Sequence, residues 1–107
     1  MDLQARQTTV GTTAVLSLAG EIDLATLPRL ADALTRLASV DGPVAVDLDG
    51  VFVLDDAALG LLLGAAARSR RQGHDLVVVC TNPSLRERLA ITGFDRAVQV
   101  MDRVTAP

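Results

Sequence analysis

Residues 44–72 run from strand to acidic bend to helix without interruption, and few folds accommodate that succession. Val44-Ala45-Val46-Asp47-Leu48 is apolar at nearly every position, the pattern of a strand covered on both faces. Asp55 and Asp56 follow, and Leu59 opens an apolar run of helical period. A helix that starts directly after an acidic pair gathers unpaired backbone N–H groups and carboxylates at one spot. The helix predicted over 56–72 closes with Arg68, Arg70 and Arg71, and Gly73 lies just beyond. Cations and then glycine are what a helix C-terminus favours.

The flanking sequence supplies more elements of the same kind. Residues 3–10 and 13–19 predict two strands joined around Gly11 as a hairpin. Gly20 to Asp23 reads as a turn into a helix in which Leu27, Leu30, Ala31, Leu34, Leu37 and Ala38 recur on one face. Thr26 is its expected cap, Pro28 sits in its first turn, and Asp41-Gly42-Pro43 ends it. Leu76 to Cys80 predicts another fully apolar strand. Asn82-Pro83 then offers an N-cap and a first-turn proline to a short helix carrying Leu85, Leu89 and Ile91. Gly93-Phe94 marks its stop, and Ala97 to Met101 predicts a last strand. The order ββαβαβαβ implies an α/β fold, a mixed and mostly parallel sheet with helices packed on it and right-handed crossovers. No repeat or linker breaks the pattern, so residues 1–107 read as a single domain, loosest at Thr105-Ala106-Pro107.

Composition excludes several functions. Eleven Asp and two Glu against ten Arg and no Lys give a net charge of −3, which offers no attraction to nucleic acid or an anionic membrane. There is no Trp or Tyr and only two Phe, so base-stacking platforms are missing. No stretch approaches the roughly 18 consecutive apolar residues of a membrane span. Met1-Asp2 begins no signal peptide, and the lone Cys80 permits no internal disulfide, so a cytoplasmic protein is expected. His74 stands alone in a predicted loop, and Cys80 reads as a small core residue. No Ser-His-Asp order, metal-ligand spacing or Gly-rich phosphate loop occurs, so neither an enzyme nor a cofactor is expected.

Leu18-Ala19-Gly20-Glu21-Ile22-Asp23, Val46-Asp47-Leu48-Asp49-Gly50-Val51 and Asp55-Asp56-Ala57-Ala58-Leu59-Gly60, in that order, together resemble the STAS domain family of anti-sigma factor antagonists. Leu18-Ala19-Gly20-Glu21-Ile22-Asp23 is similar to the family's Leu-x-Gly-Glu-Leu-Asp turn, and Val46-Asp47-Leu48-Asp49-Gly50-Val51 to the strand before its signature loop. Asp55-Asp56-Ala57-Ala58-Leu59-Gly60 resembles the signature itself, Asp-Ser-Ser-Gly-Leu-Gly. Gly73 to Val79 and Pro83 to Gly93 continue the likeness, which spans roughly residues 13–101. Aligned without a gap on Leu59-Gly60, the family Asp falls on Asp55 and its first serine on Asp56. The serine that a partner kinase phosphorylates falls on Ala57, and the family glycine on Ala58.

The resemblance implies a binding protein whose partner is a cytoplasmic anti-sigma factor, often a serine kinase, and whose binding frees a sigma factor. The contact residues it implies, with the helix pattern, are Asp23, Asp55, Asp56, Ala57, Leu61 and Arg68. Asp55 and Asp56 serve equally well as helix caps, worth about 0.5–2 kcal/mol. Ala57, Leu61, Gly64, Ala65 and Arg68 are assigned to one side of the second helix, and Leu59, Leu62, Leu63 and Ala66 to the side facing the sheet. The first side is either a docking surface, as the resemblance favours, or the seat of the third helix. Asp47, Asp49, Asp55 and Asp56 also admit a Mg²⁺ site or a phosphoaspartate receiver, though the latter wants a lysine that is absent.

Alanine at position 57 cannot accept a phosphoryl group. The chain is then an unswitched antagonist, or one regulated at Thr26, Ser84 or Cys80. The alternatives are a STAS subunit of a lipid-transport ATPase complex and a small-molecule or nucleotide-sensing module.

Overall fold

The hairpin forms where the sequence places it. In the computed structural model, which describes residues 2–104, β1 (Leu3–Val10) pairs antiparallel with β2 (Thr13–Ile22), Val10 opposite Thr13. The end at Thr105-Ala106-Pro107 lies outside the described residues. α1 (Leu27–Ala38), β3 (Val44–Leu54), α2 (Asp56–Arg71), β4 (Leu76–Val79), α3 (Pro83–Ile91), α4 (Phe94–Ala97) and β5 (Val100–Met101) follow. The sheet order is β1-β2-β3-β4-β5, with β2 to β5 mutually parallel.

Several boundaries differ from the sequence expectation. Gly20-Glu21-Ile22 continues β2 instead of turning, because both neighbours offer it partners: Leu3 on one side, Val51 to Leu54 on the other. The last strand keeps only Val100 and Met101, since Phe94–Ala97 winds into a separate helical turn after Gly93. The observed order is therefore ββαβαβααβ. Thr26 also fails to cap α1 with its side chain. Its hydroxyl donates to the Glu21 carbonyl (2.9 Å) instead, and the Asp23 carboxylate receives the Thr26 N–H (3.0 Å).

The core lies on one face of the sheet. Leu16 and Leu18 of β2, Val44, Val46 and Leu48 of β3, and Leu76 and Val78 of β4 meet Leu30, Leu34 and Leu37 of α1 and Leu59 and Leu62 of α2. Leu89 and Phe94 complete it from α3 and α4. The other face is buried too at its centre, as strands covered on both faces require: Val15, Ala45 and Val79 are buried but stand outside this cluster. Val104, just after β5, lines the same hollow as Val15 and Val79.

β3 extends six residues past the predicted Leu48, and its second half departs from alternation. Leu48, Val51 and Leu54 are all core residues, yet residues three apart cannot share a face in a regular pleat of period two. The register with β2 resolves this. Ser17 opposes Asp47 and Ala19 opposes Gly50, and then Gly20 opposes Val51 and Glu21 opposes Val53. Each step inserts one extra residue into β3, a β-bulge. Asp49-Gly50 and Phe52-Val53 are consequently turned outward in pairs.

The first bulge requires glycine at its tight point. A Cβ on Gly50 would stand 2.8 Å from the Leu18 carbonyl oxygen and 2.9 Å from the Ala19 Cβ. On α2, a Cβ on Gly64 would meet nothing within 4 Å. Urea denaturation should therefore separate the two changes. Gly50→Ala is expected to cost about 1–3 kcal/mol through backbone displacement, whereas Gly64→Ala should add about 0.5–1 kcal/mol by stiffening the unfolded chain.

Candidate functional site

Four of the six sequence-predicted contact residues meet where β2 and β3 end. The Asp55 N–H donates to the Ile22 carbonyl at 2.8 Å, which fastens the acidic bend to the strand that leads into Asp23. Asp55 caps α2, its carboxylate accepting the Ala57 N–H at 2.8 Å. Asp23 performs the corresponding task before α1: its carboxylate takes the Thr26 N–H, and its own N–H donates to the Thr26 hydroxyl at 2.9 Å. Both acids are half-buried. Their structural duty is to close two helix starts at the same end of the sheet.

Asp56 and Ala57 are exposed in the first turn of α2. Asp56 pairs with Arg88 of α3, which ties the second helix start to the third helix. Leu61, one turn on, is half-buried against the core. Arg68 stands apart, twelve residues beyond Asp56 and so about 18 Å along the helix. The structure does not bring it to the acidic end.

The division of α2 into two sides needs correction at two positions. Ala65 is buried, and Leu63 is exposed. The buried arc runs through Ala58, Leu59, Leu62, Ala65, Ala66 and Ser69. Leu63 misses it because α2 is flanked on that side by α3 and α4, leaving a hollow of about 330 Å³ lined by Leu59, Leu63, Gly93 and Phe94. What remains outside is a strip of small residues, Ala57, Gly60, Gly64 and Ala67. A Cβ on Gly60 or Gly64 would meet no neighbour within 4 Å, so the third helix does not cover it.

The acidic cluster does not converge on a point. The Asp47 carboxylate takes the Asp49 N–H (2.9 Å), and Asp49 takes both the N–H (2.6 Å) and hydroxyl (3.0 Å) of Thr81. With Asp55 on Ala57 and Asp56 on Arg88, each carboxylate has a separate employer. No three His, Cys, Asp or Glu side chains among the described residues are placed to hold a metal ion. His74 lies at the opposite end of the sheet, before β4, with Nε2 3.2 Å from Asp41. Among the described residues no helix is long and apolar enough to cross a membrane.

Sequence reasoning missed three exposed apolar residues at the acidic end: Leu24 in the turn after β2, and Phe52 and Val53 on β3. The available signal was the spacing of Leu48, Val51 and Leu54. An apolar triplet at intervals of three inside a strand announces bulges and the outward residues between them.

Compared with known proteins, the sequence matches the family model of the STAS domain over residues 4–106. An anti-sigma factor antagonist from Mycobacterium paratuberculosis superposes with a TM-score of 0.80 at 23% identity, covering 96% of this chain and 88% of that one. An anti-sigma-factor antagonist (STAS) domain protein from Planctomyces limnophilus does so with a TM-score of 0.83 at 17% identity, over 94% and 91%. The Bacillus cell fate determinant SpoIIAA in its phosphorylated form gives a TM-score of 0.67 at 16% identity, over 94% and 91%. At such identities the likeness establishes the fold. No curated protein matches significantly by sequence.

Cys80, directly after β4, is fully enclosed. Burial chiefly, with the nearby Asp49 charge adding to it, pushes its thiol above the ordinary value of 9.0. The thiol stays protonated at neutral pH, which makes it a poor oxidation target. The folded state holds this proton more tightly than the unfolded one, so its stabilising contribution is complete below the unfolded value and is lost as pH rises through the folded one. The chain has no Lys or Tyr, so no other side chain titrates between about pH 8 and 11. Urea midpoints are expected to fall with rising pH above about 9 in the wild type. They should stay level in Cys80→Ala.

Proposed function

The chain belongs to the STAS domain family, and we propose that it acts within that family as an anti-sigma factor antagonist. In this reading residues 1–107 form one STAS domain, a cytoplasmic binding protein without catalytic activity. Its partner is an anti-sigma factor of the ATP-binding serine kinase type, and capture of that factor frees a sigma factor. The docking residues are Asp23, Asp55, Asp56, Ala57 and Leu61, with Arg68 at the far margin. One observation carries the reading: the open strip along α2 begins at Ala57, beside the capped start of α2, and among the described residues a Cβ at Gly60 or Gly64 would meet no neighbour within 4 Å. The structural relatives described as anti-sigma factor antagonists add support.

In this reading the chain is not switched at position 57. Alanine offers no hydroxyl, and the neighbouring Asp56 is engaged by Arg88. Two of the three other candidate positions are enclosed, since Thr26 and Cys80 are both buried. Ser84, in the first turn of α3, is exposed.

The test begins with the tagged chain and lysate of its source cells. An ATP-binding anti-sigma factor should be recovered and, once purified, should bind the chain in titration calorimetry. Recovery of membrane-transporter subunits alone would overturn the proposal. Ala57→Asp, which sets a charge at the head of the open strip, should weaken binding about tenfold, or about 1.4 kcal/mol. With labelled ATP and that factor, the wild type should remain unlabelled and Ala57→Ser should gain label.

A further inference from the structure

We infer that the bulged half of β3 forms a second element of the binding surface, with Phe52 as an aromatic anchor for a partner segment that is basic and apolar. The inference rests on reading this end of the domain as a protein-docking end. Of the two phenylalanines in the chain, Phe94 is 3% exposed in the core and Phe52 is 70% exposed. Val53 beside it is 42% exposed. Single apolar residues on a surface are ordinary. Here an adjacent pair is held outward by a strand that leaves its regular pleat to do so, and bulges re-aim side chains in this way beside functional sites. Aromatic side chains at such positions carry a large share of binding energy at interfaces.

The charges select the occupant. Glu21 lies opposite Val53 in the register, and Asp49 occupies the first bulge. Asp23 and Asp55 sit at the adjoining strand ends, joined through the Asp55–Ile22 hydrogen bond. Asp23, Asp49 and Asp55 are satisfied by neutral donors. Among the described residues no arginine pairs with any of these four acids, whereas Asp2, Asp32, Asp56 and Asp102 each have one. An apolar centre with an uncompensated acidic rim complements arginine or lysine flanking apolar side chains. A second copy would set the same acids against one another, and an anionic lipid surface would be repelled. β4 ends at Val79 opposite Asp47, so β3 has no paired strand on that side from Leu48 onward. The two bulges spoil that edge for strand addition. The partner is therefore held through side chains.

The probe is a short amidated peptide of alternating arginine and leucine, titrated at low salt into the full chain while backbone amide shifts are recorded. The amides of Glu21, Phe52 and Val53 should move most. Phe52→Ser should raise the dissociation constant about fivefold or more, with an unchanged thermal midpoint because Phe52 stabilises no core. An arginine–serine peptide of equal charge should bind the wild type as weakly as the leucine peptide binds the variant. Shifts centred on the α2 strip, or equal affinities for variant and wild type, would overturn the inference. The two readings fail separately. A lysate that yields no anti-sigma factor, with the peptide map as described, counts against the proposed function and supports this surface. An anti-sigma factor that binds Phe52→Ser and wild type equally would overturn the anchor and leave the proposed function standing.

Discussion

Leu48, Val51 and Leu54 all reach the core from one strand, and the rest of the acidic end follows from how they do so. Each would bury about 1.5–3 kcal/mol worth of side chain, and a regular pleat would deliver at most two of the three. Two extra residues, admitted by the close approach of Gly50 to β2, reconcile burial with hydrogen bonding. The consequence is geometric. Leu54 arrives beside Ile22, the next residue donates its N–H to the Ile22 carbonyl, and α2 starts there. Without the bulges Val51 would face away from the core, and Leu54 would fall two residues beyond Ile22, leaving Asp55 out of reach of β2.

The acids at this end are better understood as helix starters that remain charged than as a cluster assembled for chemistry. Asp55 accepts a backbone N–H in the first turn of α2, and Asp23 accepts that of Thr26 just before α1, both where the local field favours negative charge. Asp49 holds the segment after β4 through Thr81. These duties use neutral donors, so folding is served while the charges stay available to a partner. Asp56 differs, because Arg88 reaches it from α3. The pair is exposed enough to contribute little stability. Its effect is to link α3 to the start of α2.

The elements that obey a simple period were legible. α1 and α2 have apolar faces at helical spacing, and the Asn82 cap with Pro83 located α3 to the residue. The signature around Asp55 was readable because capping demands a carboxylate there. Legibility failed where two requirements compete. The apolar run of β3 stops at Leu48, and only the neighbouring strand shows that the chain continues through Asp49-Gly50. Leu63 has the residue type of a core position, but whether α3 covers it depends on how α3 and α4 lie along the helix. For the same reason Phe52 gave no sign of exposure: with the strand ended at Leu48, nothing in the sequence assigns its side chain to a face.

Alanine at position 57 gives the head of α2 a different character from that of a phosphorylated side chain. A phosphoserine adds about −1.5 to −2 charge and three acceptor oxygens. One carboxylate at position 56 supplies less, and Arg88 answers part of that. The head of α2 therefore presents a small apolar residue beside a neutralised acid, closer in character to an unmodified serine loop than to a modified one. The remaining negative potential comes from Glu21, Asp23, Asp49 and Asp55, and it is fixed by the fold because three of these carboxylates also hold backbone in place. A surface whose charge is tied to capping cannot be discharged without loosening two helices.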